Sequence, residues 1–324
     1  MNAPAENVLD IRNLSKKFGD FTALDNLNLS LRRGQILGFI GPNGAGKTTT
    51  IKILVGAMRP TSGSATIAGA DCVRDARRIK RLVGFMPDTF GAYDNMRVRE
   101  YLDFFGAAFG IPRRARTKRI DEVLETTGSG WMQDRYVEAL SHGMRQRVGV
   151  ARTLLHDPEM LILDEPANGL DPQARIEMRD LLLKLAGMGK TLIVTSHILP
   201  ELSRICDVVA IITQGKLRAF GTLEQIMRDL RQRRTFEIQL CAPERVETVA
   251  SAVREALEPG ERDSVKAHPH ESLVRFDTAR SDTELSVILA ALVGRGLDVA
   301  QFREIPKDLE DAFLSVTRRE VPAA

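Results

Sequence analysis

The sequence predicts an α/β fold: a mostly parallel sheet covered on both faces, with a small antiparallel β region ahead of it and a small α+β domain behind. Three observations predict it. Short apolar runs alternate with amphipathic helical stretches, a glycine-rich turn joins one such run to a helix, and a basic polar stretch at 231–234 divides the alternation in two.

Residues 8–31 alternate apolar and polar positions, with Leu27, Leu29 and Leu31 on one face, and read as the antiparallel β region. A short buried strand is predicted at 35–40, running through the glycine-rich turn into a helix at 47–58. Further strands are predicted at 64–67 and 81–85, and mostly helix over 97–127. An amphipathic helix at 141–155 precedes a buried strand at 160–163, a helix at 175–186, and strands at 191–195 and 208–212. A hairpin at Gln214 and Gly215 and a helix near 223–230 close the first part. The second part reads as strand 235–240, helix 244–257, strand 272–277, helix 282–294, strand 298–302 and a last helix at 309–317.

Composition bounds the function. A chain of 324 residues, 43% hydrophobic and 27% charged, can bury one substantial core and a second, smaller one. Lys and Arg total 46 against 43 acidic residues, which argues against nucleic-acid binding driven by bulk charge and leaves any anionic ligand needing a local site. The cysteines, Cys72, Cys206 and Cys241, are far apart, indicating neither a disulfide framework nor a zinc site and fitting a reducing compartment. The opening MNAPAENVLD lacks a basic segment followed by an apolar run, so no ordinary secretory signal is expected. The best apolar runs are strand-sized, well short of the roughly 20 residues of a membrane helix.

Gly41, Pro42, Asn43, Gly44, Ala45, Gly46, Lys47 and Thr48 match the phosphate-binding loop G-x-x-x-x-G-K-[ST], between a strand and a helix as the motif requires. Glycines let backbone N–H groups curl around a β-phosphate, Lys47 reaches β- and γ-oxygens, and the Thr48 hydroxyl can ligate Mg²⁺. Downstream, the apolar strand LIL ends in adjacent carboxylates. Asp164 is suited to hold Mg²⁺ through water, and Glu165, pointing elsewhere, to polarise an attacking water. Between these lies Leu140-Ser-His-Gly-Met144, opening an arginine-rich helix whose N-terminus, capped by Ser141 and opened by Gly143, is an anion site.

The order of these motifs resembles the nucleotide-binding domain of the ABC ATPases, nearly without gap over residues 8 to about 225. The resemblance implies a P-loop NTPase fold of the ABC type, with a mixed sheet core, an antiparallel β subdomain and a helical subdomain at about 88–155. The nucleotide-binding domain would span 1–230 and an accessory domain 231–324. The family's phosphate loop falls at Gly41 to Thr49, its signature at Leu140 to Met144, Walker B at Leu161 to Glu165, and the D-loop, with Asp171, at Gly169-Leu-Asp-Pro172. Its switch histidine falls at His197 and its adenine-stacking aromatic at Phe18. ATP and Mg²⁺ are the implied ligands. Because family members pack two domains head to tail, each signature closing over ATP in the other's phosphate loop, a single cassette implies a second copy or a homologue.

Two departures stand out. Asp88 occupies the place of the family's Q-loop glutamine; a carboxylate can still ligate Mg²⁺ but adds negative charge beside triphosphate and loses an amide donor. The signature reads Ser-His-Gly-Met where the family usually has Ser-Gly-Gly-Gln, keeping the Ser141 hydroxyl and the Gly143 approach. Within the family, LSHGMRQR and the terminal LEDAFL starting at Leu309 look most like the ATPases of ABC-2-type exporters. That implies a separately encoded transmembrane permease, attachment through it to the cytoplasmic face of the cell membrane, and no nucleic-acid partner. The segment 90–105, with Tyr93, Tyr101, Phe104 and Phe105, would be the docking surface, with helical core as the competing reading of those aromatics.

Two other functions use the same cassette. ABC ATPases of translation usually carry two in tandem and those of DNA maintenance insert long coiled coils, neither of which this chain shows. A non-hydrolysing module would lack Glu165 or His197. Residues 231–324 hold no catalytic constellation, since His268 and His270 read as a loop without further ligands. A regulatory or dimer-stabilising role is expected there, with a bare structural extension as the competing reading.

Overall fold

The computed structural model describes residues 7–88, 95–196, 202, 204–230 and 234–305. The chain divides into two compact units, Met1–Leu223 and Glu224–Ala324, the boundary falling after the first residue of the helix at Leu223–Leu230.

In the first unit, β1 (Asn7–Phe18) and β2 (Phe21–Arg32) form an antiparallel pair in which Leu9 faces Leu31 and Ile11 faces Leu29. With β4 (Ser62–Ile67) and β5 (Ala70–Asp71) they make a four-stranded sheet in the order β2-β1-β4-β5. The leucines predicted to share a face are buried.

The second sheet holds β3 (Ile36–Ile40), β6 (Val83–Met86), β7 (Met160–Leu163), β8 (Thr191–Thr195), β9 (Val208–Thr213) and β10 (Lys216–Gly221) in the order β10-β9-β3-β8-β7-β6. Every pairing is parallel except that of the edge strand β10 with β9. All residues of β3, β7 and β8 are buried, the pattern of strands covered on both faces. Because β3, β6, β7 and β8 run the same way, the segments leaving them emerge at one end of the sheet. The phosphate loop, Asp88, and the Asp164–Glu165 pair lie there.

The unit also holds helices α1 (Lys47–Leu54), α2 (Ala76–Leu82), α3 (Val98–Ala108), α4 (Arg113–Thr126), α5 (His142–Leu154) and α6 (Pro172–Gly187). Three expectations need correction. The segment beginning at Arg81 is not all strand: it opens as the end of α2, whose sequence ARRIKRL buries only Ile79 and so carries no periodic signal. Helix α1 stops at Leu54, four residues short, with Gly56 at φ +72° just beyond. Tyr101 is fully buried and accepts a hydrogen bond from Arg152 at 3.2 Å, so it belongs to the helical core and not to a docking surface. Phe104 is exposed; Tyr93 lies outside the described residues.

The second unit opens within α7 (Leu223–Leu230) and continues through β11 (Arg234–Leu240), α8 (Val246–Ala256), β12 (Lys266–His268), β13 (Leu273–Thr278), α9 (Asp282–Gly294) and β14 (Val299–Ile305). The sheet is antiparallel in the order β12-β13-β11-β14, the split β-α-β arrangement of ferredoxin-like folds. His268 is therefore in a short strand paired with Leu273, not in a loop. Phe236, Ile238, Val274 and Phe276 pack with Val249, Val253, Leu285 and Ile288 into a core of the unit's own. The expected helix at 309–317 lies outside the described residues.

Candidate nucleotide site

The turn between β3 and α1 is built so that only glycine fits at its ends. A Cβ on Gly41 would stand 2.4 Å from the Ile212 carbonyl oxygen. One on Gly46, at φ +109°, would stand 2.8 Å from the Ala23 oxygen and 2.7 Å from Leu24. The loop is pinned by Ala45 N–H donating to Pro42 O at 3.1 Å and by Gly215 N–H donating to Ala45 O at 2.9 Å. No side chain caps α1, so its first N–H groups are available to an anion. The Lys47 ammonium donates to the carbonyls of Gly41 and Pro42. Its burial lowers its pKa, and Glu165 and Asp164 oppose that fall.

The carboxylates at the end of β7 are separated by backbone conformation. Glu165 sits at φ +53°, a left-handed geometry that costs a non-glycine residue about 1–3 kcal/mol. Thr195, at the end of β8, holds both: its hydroxyl donates to Asp164 Oδ1 at 2.6 Å and accepts from Glu165 N–H at 2.9 Å. Asp88, at the end of β6, accepts from the Asn168 amide at 3.4 Å.

Phe18, Pro42, Asn43, Gly44, Ala45, Gly46, Lys47, Thr48, Thr49, Asp88, Asp164 and Glu165 line a single cleft, so the structure brings most of the sequence-predicted residues together. Phe18 is 48% exposed, with the Lys16 ammonium 4.9 Å from its ring centre, a surface ring rather than a core one. Ser141, Gly143 and Asp171 line a second cleft that shares no residue with the first. There Ser141 caps α5, accepting from Met144 N–H at 3.3 Å, and Asp171 caps α6, accepting from Ala174 N–H at 3.0 Å. His197 lies outside the described residues.

Several lining residues carry no sequence signal. Phe21, 64% exposed, joins Phe18 in the first cleft because β1 and β2 pair them directly. Trp131, with the Arg135 guanidinium 4.7 Å from its ring centre, lines the second. Thr195 and Asn168, which line neither cleft, meet Asp164 and Asp88 only because β8 and the segment after β7 fold beside them.

Residues 24–168 match the family model described as ABC transporter. The Nod factor export ATP-binding protein I of Ralstonia nicotianae is 36% identical over 322 residues, 97% of this chain and 95% of that protein, so the likeness runs through the second unit as well. The bacitracin transport ATP-binding protein BcrA of Bacillus licheniformis is 42% identical over 237 residues, 72% of this chain and 75% of that protein. A solved ATP-binding subunit of an ABC transporter, 28% identical, superposes with a TM-score of 0.63 over 69% of this chain and 93% of its own. No helix among the described residues is long and apolar enough to cross a membrane. The chain belongs to the ATP-binding proteins of the ABC transporter family, as a subunit that binds and hydrolyses ATP.

Proposed function

We propose that this protein powers export by a separately encoded ABC-2-type permease, which holds it at the cytoplasmic face of the cell membrane, through closure of two cassettes around ATP. The observation that carries the reading is the division of the site: the phosphate loop and paired carboxylates line one cleft, the signature residues another. A second chain supplying Ser141 and Gly143 to the triphosphate would complete the first. The export and transport names of the two relatives support the direction and the partner class.

In this reading Phe18 and Phe21 stack the base, the N–H groups from Gly44 to Thr49 cradle the phosphates, and Lys47 neutralises their charge. Glu165 orients the attacking water and takes its proton, and His197 contacts the γ-phosphate. The cleft offers Thr48, Asp164 and Asp88, an all-oxygen set that suits Mg²⁺, which when bound neutralises phosphate charge. Residues 1–230 act as the nucleotide-binding domain, and residues 231–324 stabilise the closed dimer.

Capture of the full chain from detergent-solubilised membranes of its own host, with and without ATP, tests the partner. A stoichiometric multi-helix membrane protein is the expected result. Ribosomal or chromosomal partners with no permease would contradict it.

A further inference from the structure

Two of the places where this chain departs from the family pattern, His142 in the signature and Asp88 after β6, are joined in the fold by one residue. His142 Nε2 stands 2.8 Å from the carbonyl oxygen of Asn168. A carbonyl only accepts, so Nε2 carries the proton and donates. The imidazole lies against Gly169, where a Cβ would meet it at 3.5 Å, and the buried amide of Gln146 comes to 3.5 Å of the same nitrogen. From Asn168 the connection continues through the side chain, whose amide donates to Asp88 Oδ1 at 3.4 Å. A glycine at position 142 would have no group to make the first of these contacts.

We propose that His142 is a positioning residue for ATP hydrolysis: it anchors the segment after Glu165 at the Asn168 carbonyl, which sets the Asn168 amide against Asp88. The proposal rests on the reading of the first cleft as the hydrolytic site. Ser141 and Gly143, at the start of α5, line the second cleft, while Asp88 and Glu165 line the first. The path His142, Asn168, Asp88 therefore runs within one chain from the signature to the nucleotide cleft. Asn168 also lies three residues past Glu165, and its N–H donates to the Glu165 carbonyl at 3.1 Å, so displacement of the segment is felt at the water-activating carboxylate. Neither His142 nor Asn168 lines the cleft that holds the phosphate loop, so their effect falls on turnover rather than on nucleotide affinity.

The test is a double-mutant cycle on the full-length protein with MgATP, reading kcat, KM and the dissociation constant of a fluorescent ATP analogue. His142→Ala is expected to lower kcat roughly tenfold, the effect of losing one positioning hydrogen bond, with KM, analogue affinity and Tm nearly unchanged. His142→Gln, whose amide nitrogen can take the place of Nε2, restores most of the rate. Asn168→Ala lowers kcat similarly, and His142→Ala with Asn168→Ala together is no slower than the slower single variant. Unchanged turnover in His142→Ala, failure of the glutamine variant to restore it, or single effects that multiply in the double variant would each overturn the proposal. A wild-type chain that binds the analogue without hydrolysing ATP would instead overturn the underlying reading of the cleft, and this proposal with it.

Discussion

Thr195 contributes one hydroxyl, and both carboxylates at the end of β7 depend on it. Its oxygen donates to Asp164 and accepts from the Glu165 N–H, fixing one acid by its side chain and the other by its backbone. Thr195→Val keeps the shape and removes both bonds. Because hydrogen bonds to charged groups are worth about 1.5–3 kcal/mol, kcat should fall about tenfold to a hundredfold while ATP affinity is kept. Steady-state ATPase assays beside equilibrium nucleotide titration check this; unchanged turnover would mean that the acids hold their places without it. The contrast with the phosphate loop explains what was legible in the sequence. Gly41 to Thr48 is contiguous, so its chemistry can be read directly. Thr195 meets Asp164 across 31 residues and Asn168 meets Asp88 across 80, and no local pattern announces such pairs. Phe21 was missed for a related reason: its place beside Phe18 in the cleft follows from strand register, not from spacing.

Among the elements, those with a strongly buried face were read well and those on the surface were not. The buried strands β7 and β8 stand at their predicted limits, and α9 does too, helped by its Ser281 and Glu284 capping box. Helix α2 and the two-residue strand β5 bury too little to leave a pattern. The junction of α5 with β6 carries an acid-sensitive contact. His156, just past α5, lies 3.1 Å from the Val83 carbonyl through Nε2 and stacks on Phe109 at 4.1 Å between ring centres. Its Nδ1 is buried with no hydrogen-bond partner among the described residues. Burial, chiefly, holds its pKa below the ordinary imidazole value, so the unfolded chain takes up the proton first. Its contribution is therefore fully present above about pH 6.5 and is lost as pH falls from there towards the folded pKa, by at most about 1.4 kcal/mol per pH unit. His156→Gln keeps a donor for Val83 without a titrating group. Urea titrations of both proteins between about pH 7 and 5 should show a shallower loss in the variant; equal slopes would remove His156 as the cause.

At the scale of the molecule, the sequence revealed a cassette and a trailing α+β region, and the structure resolves the latter as a split β-α-β sheet with its own core. The strand at Lys266–His268 was hidden because three residues in an edge position bury almost nothing. The function of this unit was not legible, since no cluster of potential metal-binding side chains marks it among the described residues. In the proposed role it stabilises the closed dimer. A chain truncated at Arg231 should therefore still bind ATP but dimerise more weakly, which sedimentation velocity with MgATP reads directly. Unchanged dimerisation, ATPase rate and transport would assign the unit a purely structural role. The central claim, that two chains close on ATP to complete each site, is tested most directly with Glu165→Gln, which keeps the phosphate cradle and removes the carboxylate proposed to activate water. Light scattering after size exclusion should give twice the mass of one chain with MgATP and a monomer without it, and adding Ser141→Arg should abolish the dimer. A Glu165→Gln protein that binds MgATP and stays monomeric would contradict the account.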